Sequence, residues 1–188
     1  MLEHAFVVAT VLVAIGEIGD KTQLLAFALA QRYRTPWLIL AGILAATLLN
    51  HGLSVLFGQW AAQHFSMFWL TLILGVGFIV LGLWMLIPDK EESVDAKPQW
   101  NAFIATFVLF FLAEIGDKTQ LATVALAARF PDAFWHVLLG STLGMLLANI
   151  PAIWLGATLT HPRWQRIVHR FSAALFVLFG LATLWQLV

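Results

Sequence analysis

Polar punctuation divides this chain into six long apolar stretches, at residues 4–30, 36–60, 67–87, 101–128, 134–159 and 167–187. The interruptions are brief: QRYRTP, QHFS, PDKEESVDAKPQ, RFPDA and HPRWQR. Crossing a hydrocarbon core takes about 20 residues of apolar helix, and each stretch reaches that length. The pattern predicts an all-α integral membrane protein with six transmembrane helices. Trp37, Trp60, Trp69, Trp100, Trp135, Trp164 and Trp185 fall near the predicted span ends, where amphipathic rings favour the membrane–water interface.

The stretches come in two sets. Residues 88–100 form the one clearly solvated segment and separate a first three-helix repeat, 1–87, from a second, 101–188. Residues 17–33, EIGDKTQLLAFALAQRY, match 114–130, EIGDKTQLATVALAARF, at 12 of 17 positions. A fainter echo sets Gly42, Ala46, His51 and Gly58 against Gly140, Gly144, Asn149 and Gly156. Three spans per repeat is an odd number, so the second repeat is expected to cross the membrane in the opposite sense, as an inverted-topology 3+3 repeat. The small residues at 42/46 and 140/144 read as close helix-packing seams.

Loop charges supply an orientation. Arg32, Arg34, Lys90, Lys97, Arg163, Arg166 and Arg170 fall on one side, and Arg129 alone on the other. Positive charge is retained in the cytoplasm, so both termini are expected outside it.

Composition agrees with a membrane solvent. Hydrophobic residues make up 61% of the chain and charged residues only 11%, against roughly 25% charged in a soluble domain; mean hydropathy is +0.89. Ten basic and ten acidic residues cancel, which gives no reason to expect a nucleic-acid partner. The absence of cysteine excludes disulfides, thiolate metal sites and cysteine nucleophiles. The first apolar stretch has no basic flank and contains Glu17 and Asp20, so it reads as a retained helix and not a cleaved signal peptide.

Those two acids expose the central problem. Glu17, Asp20, Lys21, Glu114, Asp117 and Lys118 lie inside predicted spans. A charge at the bilayer centre costs about 2.5–3.5 kcal/mol on insertion scales, so six carry a gross penalty on the order of 15–20 kcal/mol. They must pair, face water, protonate or hold an ion. On an ideal helix, positions 17, 20 and 21 share one face, as do 114, 117 and 118. If the two copies meet, four carboxylates converge. Gly16, Gly19 and Gly116 would allow the backbone to unwind there. Thr22, Gln23, Thr119 and Gln120 would reach such a site only if the helix is interrupted or a neighbour supplies it. Asn50, His51 and Asn149 are further polar groups at membrane depth, as interhelical hydrogen-bonding groups or as additional ligands.

Four carboxylates and two ammonium groups sum to −2, which one divalent cation neutralises; two protons neutralise it equally well. In this reading Glu17, Asp20, Glu114 and Asp117 hold the metal, and Lys21 and Lys118 balance charge. Oxygen ligands favour hard ions such as Ca²⁺, Mn²⁺ and Mg²⁺ over Zn²⁺ or Cu⁺. A nitrogen from His51 would tilt the choice towards Mn²⁺.

The two copies of E-x-G-D-K-[ST], Glu17 to Thr22 and Glu114 to Thr119, resemble the signature of the GDT family of cation/proton exchangers. The resemblance spans essentially the whole chain and is closest to the compact bacterial MneA-type manganese exporters. It implies export of Mn²⁺, or of Ca²⁺, from the cytoplasm across a bacterial inner membrane in exchange for protons. It implies no cofactor beyond the transported ion, and leaves homo-oligomerisation open.

Other classes fit less well. An intramembrane aspartyl protease would need glycine where Glu17 and Glu114 stand. A purely structural subunit has no use for six buried charges. A proton-coupled exporter of an amino acid or similar organic solute is the nearest alternative, but such a solute calls for a positive partner for its carboxylate, and this site is net negative.

Overall fold

A computed structural model describes residues 2–84, 86, 100–155 and 162–187. The described residues are helical throughout: α1 (Leu2–Glu17), α2 (Lys21–Tyr33), α3 (Pro36–His64), α4 (Met67–Trp84), α5 (Ala102–Glu114), α6 (Lys118–Arg129), α7 (Phe134–Leu155) and α8 (Pro162–Leu184), with a final 3₁₀ turn at Trp185–Leu187. The central linker, apart from Trp100, lies outside the described residues, as do Lys90, Lys97 and Gly156.

The number of continuous spans differs from the expected six. Among the described residues four helices are long and apolar enough to cross a membrane, and the pair α1 and α2, bent by 72°, would make a fifth if taken as one span. The predicted span 101–128 is divided into α5, of 13 residues, and α6, of 12. At 1.5 Å per residue α5 rises about 20 Å, short of a core about 30 Å thick. The expected first and fourth spans are both broken at the repeated motif, between Glu17 and Lys21 and between Glu114 and Lys118.

The break follows from local sequence. Gly19 and Gly116 adopt left-handed backbone, with φ of 85° and 74°, a conformation that costs an L side chain roughly 1–2 kcal/mol. Asp20 and Asp117 follow as N-caps in extended conformation, so a new helix starts at each lysine. The amides of Asp20 and Asp117 close matching turns onto the carbonyls of Glu17 and Glu114, both at 3.1 Å.

The halves interlock. The first helix of each half packs on the long helix of the other, α1 on α7 and α5 on α3, and α4 packs on α8. The expected glycine seams lie in these contacts. A Cβ at Gly42 would meet Thr106 and the Phe103 carbonyl of α5, and one at Gly140 or Gly144 would meet the Phe6 or Thr10 carbonyl of α1. Both hydrophobic clusters draw on both halves; one, for instance, joins Val13, Ile39 and Ile43 to Leu109, Phe110 and Met145. Apolar side chains also cover the outside, among them Val7, Leu53, Leu56, Ile73, Val80, Leu139 and Leu178, as a surface solvated by lipid tails requires.

Candidate ion site

The interlocked packing brings the two breaks together. One carboxylate oxygen from each of Glu17, Glu114 and Asp117 lies within 4.8 Å of the others. Both glutamates are fully buried, and Asp117 is 5% exposed. The two motifs, 97 residues apart in sequence, therefore share one acidic cluster. Asp20 is also buried but stands outside this trio, at the start of α2.

Each carboxylate has a defined set of partners. The Thr22 hydroxyl donates to Glu17 Oε2 at 2.6 Å, and the Thr119 hydroxyl lies 3.3 Å from Glu114 Oε2. A threonine five residues on would lie about 140° round an ideal helix from its glutamate. The interruption removes that obstacle, which is the condition under which the sequence allowed these threonines to reach the site. Asp117 Oδ2 accepts longer contacts, at 3.4 Å, from the Thr119 amide and hydroxyl. Asp117 Oδ1 pairs with Lys21 Nζ at 3.1 Å. Glu17 Oε1 and Glu114 Oε1 have no hydrogen-bond partner. Two buried carboxyl oxygens from different halves are thus left open, an arrangement that demands a proton, water or cation.

The glutamines do something the sequence did not reveal. Gln23 Oε1 accepts from the Gly19 amide at 3.0 Å, and Gln120 Oε1 from the Gly116 amide at 2.6 Å. Each glutamine folds back to satisfy a donor released by its own break, so its oxygen is already engaged. Gln23 Nε2 also donates to the Ala148 carbonyl of α7 at 2.7 Å. On the other side of the break, Ser172 of α8 donates to the Ile15 carbonyl at 2.7 Å. Sequence reasoning passed over Ser172; only the end of a helix at Glu17 creates a carbonyl for it to bind.

A polar layer on α3 and α7 borders these breaks. Asn50 Nδ2 donates to the Phe111 carbonyl, one turn before Glu114, at 3.1 Å. Asn149 Nδ2 donates to the Met145 carbonyl at 3.0 Å. In both asparagines the amide nitrogen is anchored and Oδ1 is buried without a partner. His51 is completely buried with neither ring nitrogen bonded. It is not part of the three-carboxylate group. Lys118 is buried against the Trp84 ring, its Nζ 6.0 Å from the ring centroid, whereas Lys21 is half-buried.

The family model described as "Divalent cation/proton antiporter GDT1" matches residues 5–93 and 102–188, one match to each half of the chain. A Vibrio cholerae protein named "Putative manganese exporter" is 45% identical over 171 residues, covering 91% of this chain and 86% of that protein. A GDT1-like protein of Synechocystis is 28% identical, covering 96% of this chain and 97% of its own. The GDT1-like protein 5 of Arabidopsis thaliana is 30% identical, with coverage of 97% and 96%. No solved structure matches the chain. The family is one of transporters and not of enzymes. This chain belongs to the GDT1 family of divalent cation/proton antiporters.

Proposed function

We propose that the protein exports a divalent cation, Mn²⁺ in the first place and Ca²⁺ as the second candidate, from the cytoplasm in exchange for protons. The observation that carries this reading is the trio of Glu17, Glu114 and Asp117, with an open Oε1 on each glutamate. Hard carboxylate oxygens suit these ions. The two open oxygens can be neutralised by a metal on one leg of the cycle and by protons on the other. Asp20 joins the site as the α1–α2 break rearranges during the cycle. A relative named for manganese export supports the choice of ion.

In this reading the chain forms six membrane-crossing segments related as a 3+3 inverted repeat, with α1–α2 and α5–α6 each acting as one broken segment. The reciprocal packing of α1 on α7 and α5 on α3 supports it. Broken helices around a mid-membrane site are the usual construction of such transporters. Both termini face away from the cytoplasm of a bacterial inner membrane.

The test is flux in liposomes. Purified protein should drive an opposite proton movement when a Mn²⁺ or Ca²⁺ gradient is imposed, read by an enclosed pH dye. Glu17→Gln and Asp117→Asn should each abolish it in folded, inserted protein. Metal movement without a proton signal would refute exchange; transport retained in both variants would refute the site.

A further inference from the structure

The occupancy of the three carboxylates is uneven, and the unevenness has a direction. Glu17 and Glu114 each keep one oxygen open. Asp117 has neither free: Oδ2 faces the Thr119 amide and hydroxyl, and Oδ1 is held by Lys21. Each carboxylate oxygen can take more than one contact, but a metal approaching Asp117 would share that carboxylate with the Lys21 ammonium, and two cations on one carboxylate repel. The Thr119 contacts arise from the cap that starts α6 and are built into the chain next door. Lys21 comes from the other half, on the first turn of α2, and its side chain is 23% exposed against 4% for Asp117. A long, partly exposed side chain with a compact ammonium is the partner most easily moved.

We propose that Lys21 is a resident cation that occupies Asp117 when the site is empty and is displaced by the arriving metal. This rests on the acidic trio being the ion site. The ammonium stands at the place of one ligand bond, so the buried carboxylate is never left without a positive partner, and cargo and lysine alternate there. The pair also crosses between the halves: Lys21 opens α2 of the first, and Asp117 sits in the break of the second. Metal binding would thus remove a tie between the two helix breaks, which links occupancy to their conformation. A ligand can shift a conformational equilibrium only through such a difference in contacts between states.

Metal-dependent labelling of the Lys21 amine tests this on the unaltered protein. Detergent-purified full-length chain is treated briefly with a water-soluble acetylating reagent, with and without saturating Mn²⁺ or Ca²⁺, and acetylation at Lys21 is quantified by peptide mass spectrometry. Metal binding is measured in parallel by calorimetry. Displacement predicts several-fold faster Lys21 labelling with metal, and no such increase in Glu114→Gln. Metal bound at the site with Lys21 labelling unchanged or reduced would overturn the proposal and leave the ion site standing; no metal binding at all would overturn both. Lys21→Met adds a second reading. Loss of a competitor predicts several-fold tighter metal binding, whereas weaker binding would show a supporting role and contradict displacement.

Discussion

Thr22 hydrogen-bonds the carboxylate of Glu17 at 2.6 Å across five residues, a contact that an unbroken helix would not form. The motif therefore encodes an interruption as well as a set of charges. Its glycine turns the backbone, its aspartate restarts the helix, and its threonine returns to the glutamate that precedes the break. The second copy repeats the pattern with Thr119 and Glu114 at 3.3 Å.

Removing that hydroxyl should weaken the site without dismantling it. Groups that orient a metal ligand typically contribute about 10–100-fold in affinity. Thr22→Ala is expected to lower Mn²⁺ affinity within that range and to leave folding intact, as read by calorimetric titration and by elution as a single species. Thr119→Ala should do less, since its contacts are longer. Equal or greater loss in Thr119→Ala would mean that the two bonds are not ranked by their geometry.

The folded-back glutamines stabilise the breaks. Gln23→Leu would remove the side-chain acceptor of the Gly19 amide and the tie to the Ala148 carbonyl of α7; losing a buried hydrogen-bond partner costs about 1–3 kcal/mol. The variant should lose thermal stability and transport together. Gln120→Leu strands only the Gly116 amide in a more exposed place, so its loss of stability should be smaller. Thermal unfolding in detergent, followed by tryptophan fluorescence, distinguishes the two.

Gly116 separates backbone strain from crowding. A Cβ there meets nothing within 4 Å, but φ is +74°. Gly116→Ala should therefore cost only the left-handed penalty, about 1–2 kcal/mol. Gly144→Ala, whose Cβ would sit 2.6 Å from the Thr10 carbonyl, must push α1 from α7, and overpacking of this kind costs about 1–3 kcal/mol. A double substitution should show additive losses, because the two mechanisms are independent.

Much of this arrangement was legible in the sequence because charge in an apolar stretch has few ways to persist. The duplicated motif singled out Glu17, Glu114 and Asp117, and the structure brings all three together. The small residues at 42, 140 and 144 foretold the close seams. The span count was less legible. Hydropathy does not register a three-residue interruption, so 101–128 read as one helix where the chain builds two. Ideal helical spacing placed Asp20 beside Glu17, whereas the structure leaves it outside the trio, although Asp117, after an equally left-handed glycine, is inside. The same spacing put Lys21 with its own glutamate, yet it pairs with Asp117 of the other half. Partners across the chain depend on how the halves interlock, which no single stretch of sequence records. Ser172 was invisible for the same reason.

The central claim, that acids from both halves form one ion site, is tested most directly by counting bound Mn²⁺ in purified protein and in Glu17→Gln and Glu114→Gln, using the electron paramagnetic resonance signal of free metal. The account predicts one ion per chain in the unaltered protein and loss of that ion in either variant alone. Two independent ions per chain, or one ion still held at unchanged affinity when either glutamate is neutralised, would contradict it.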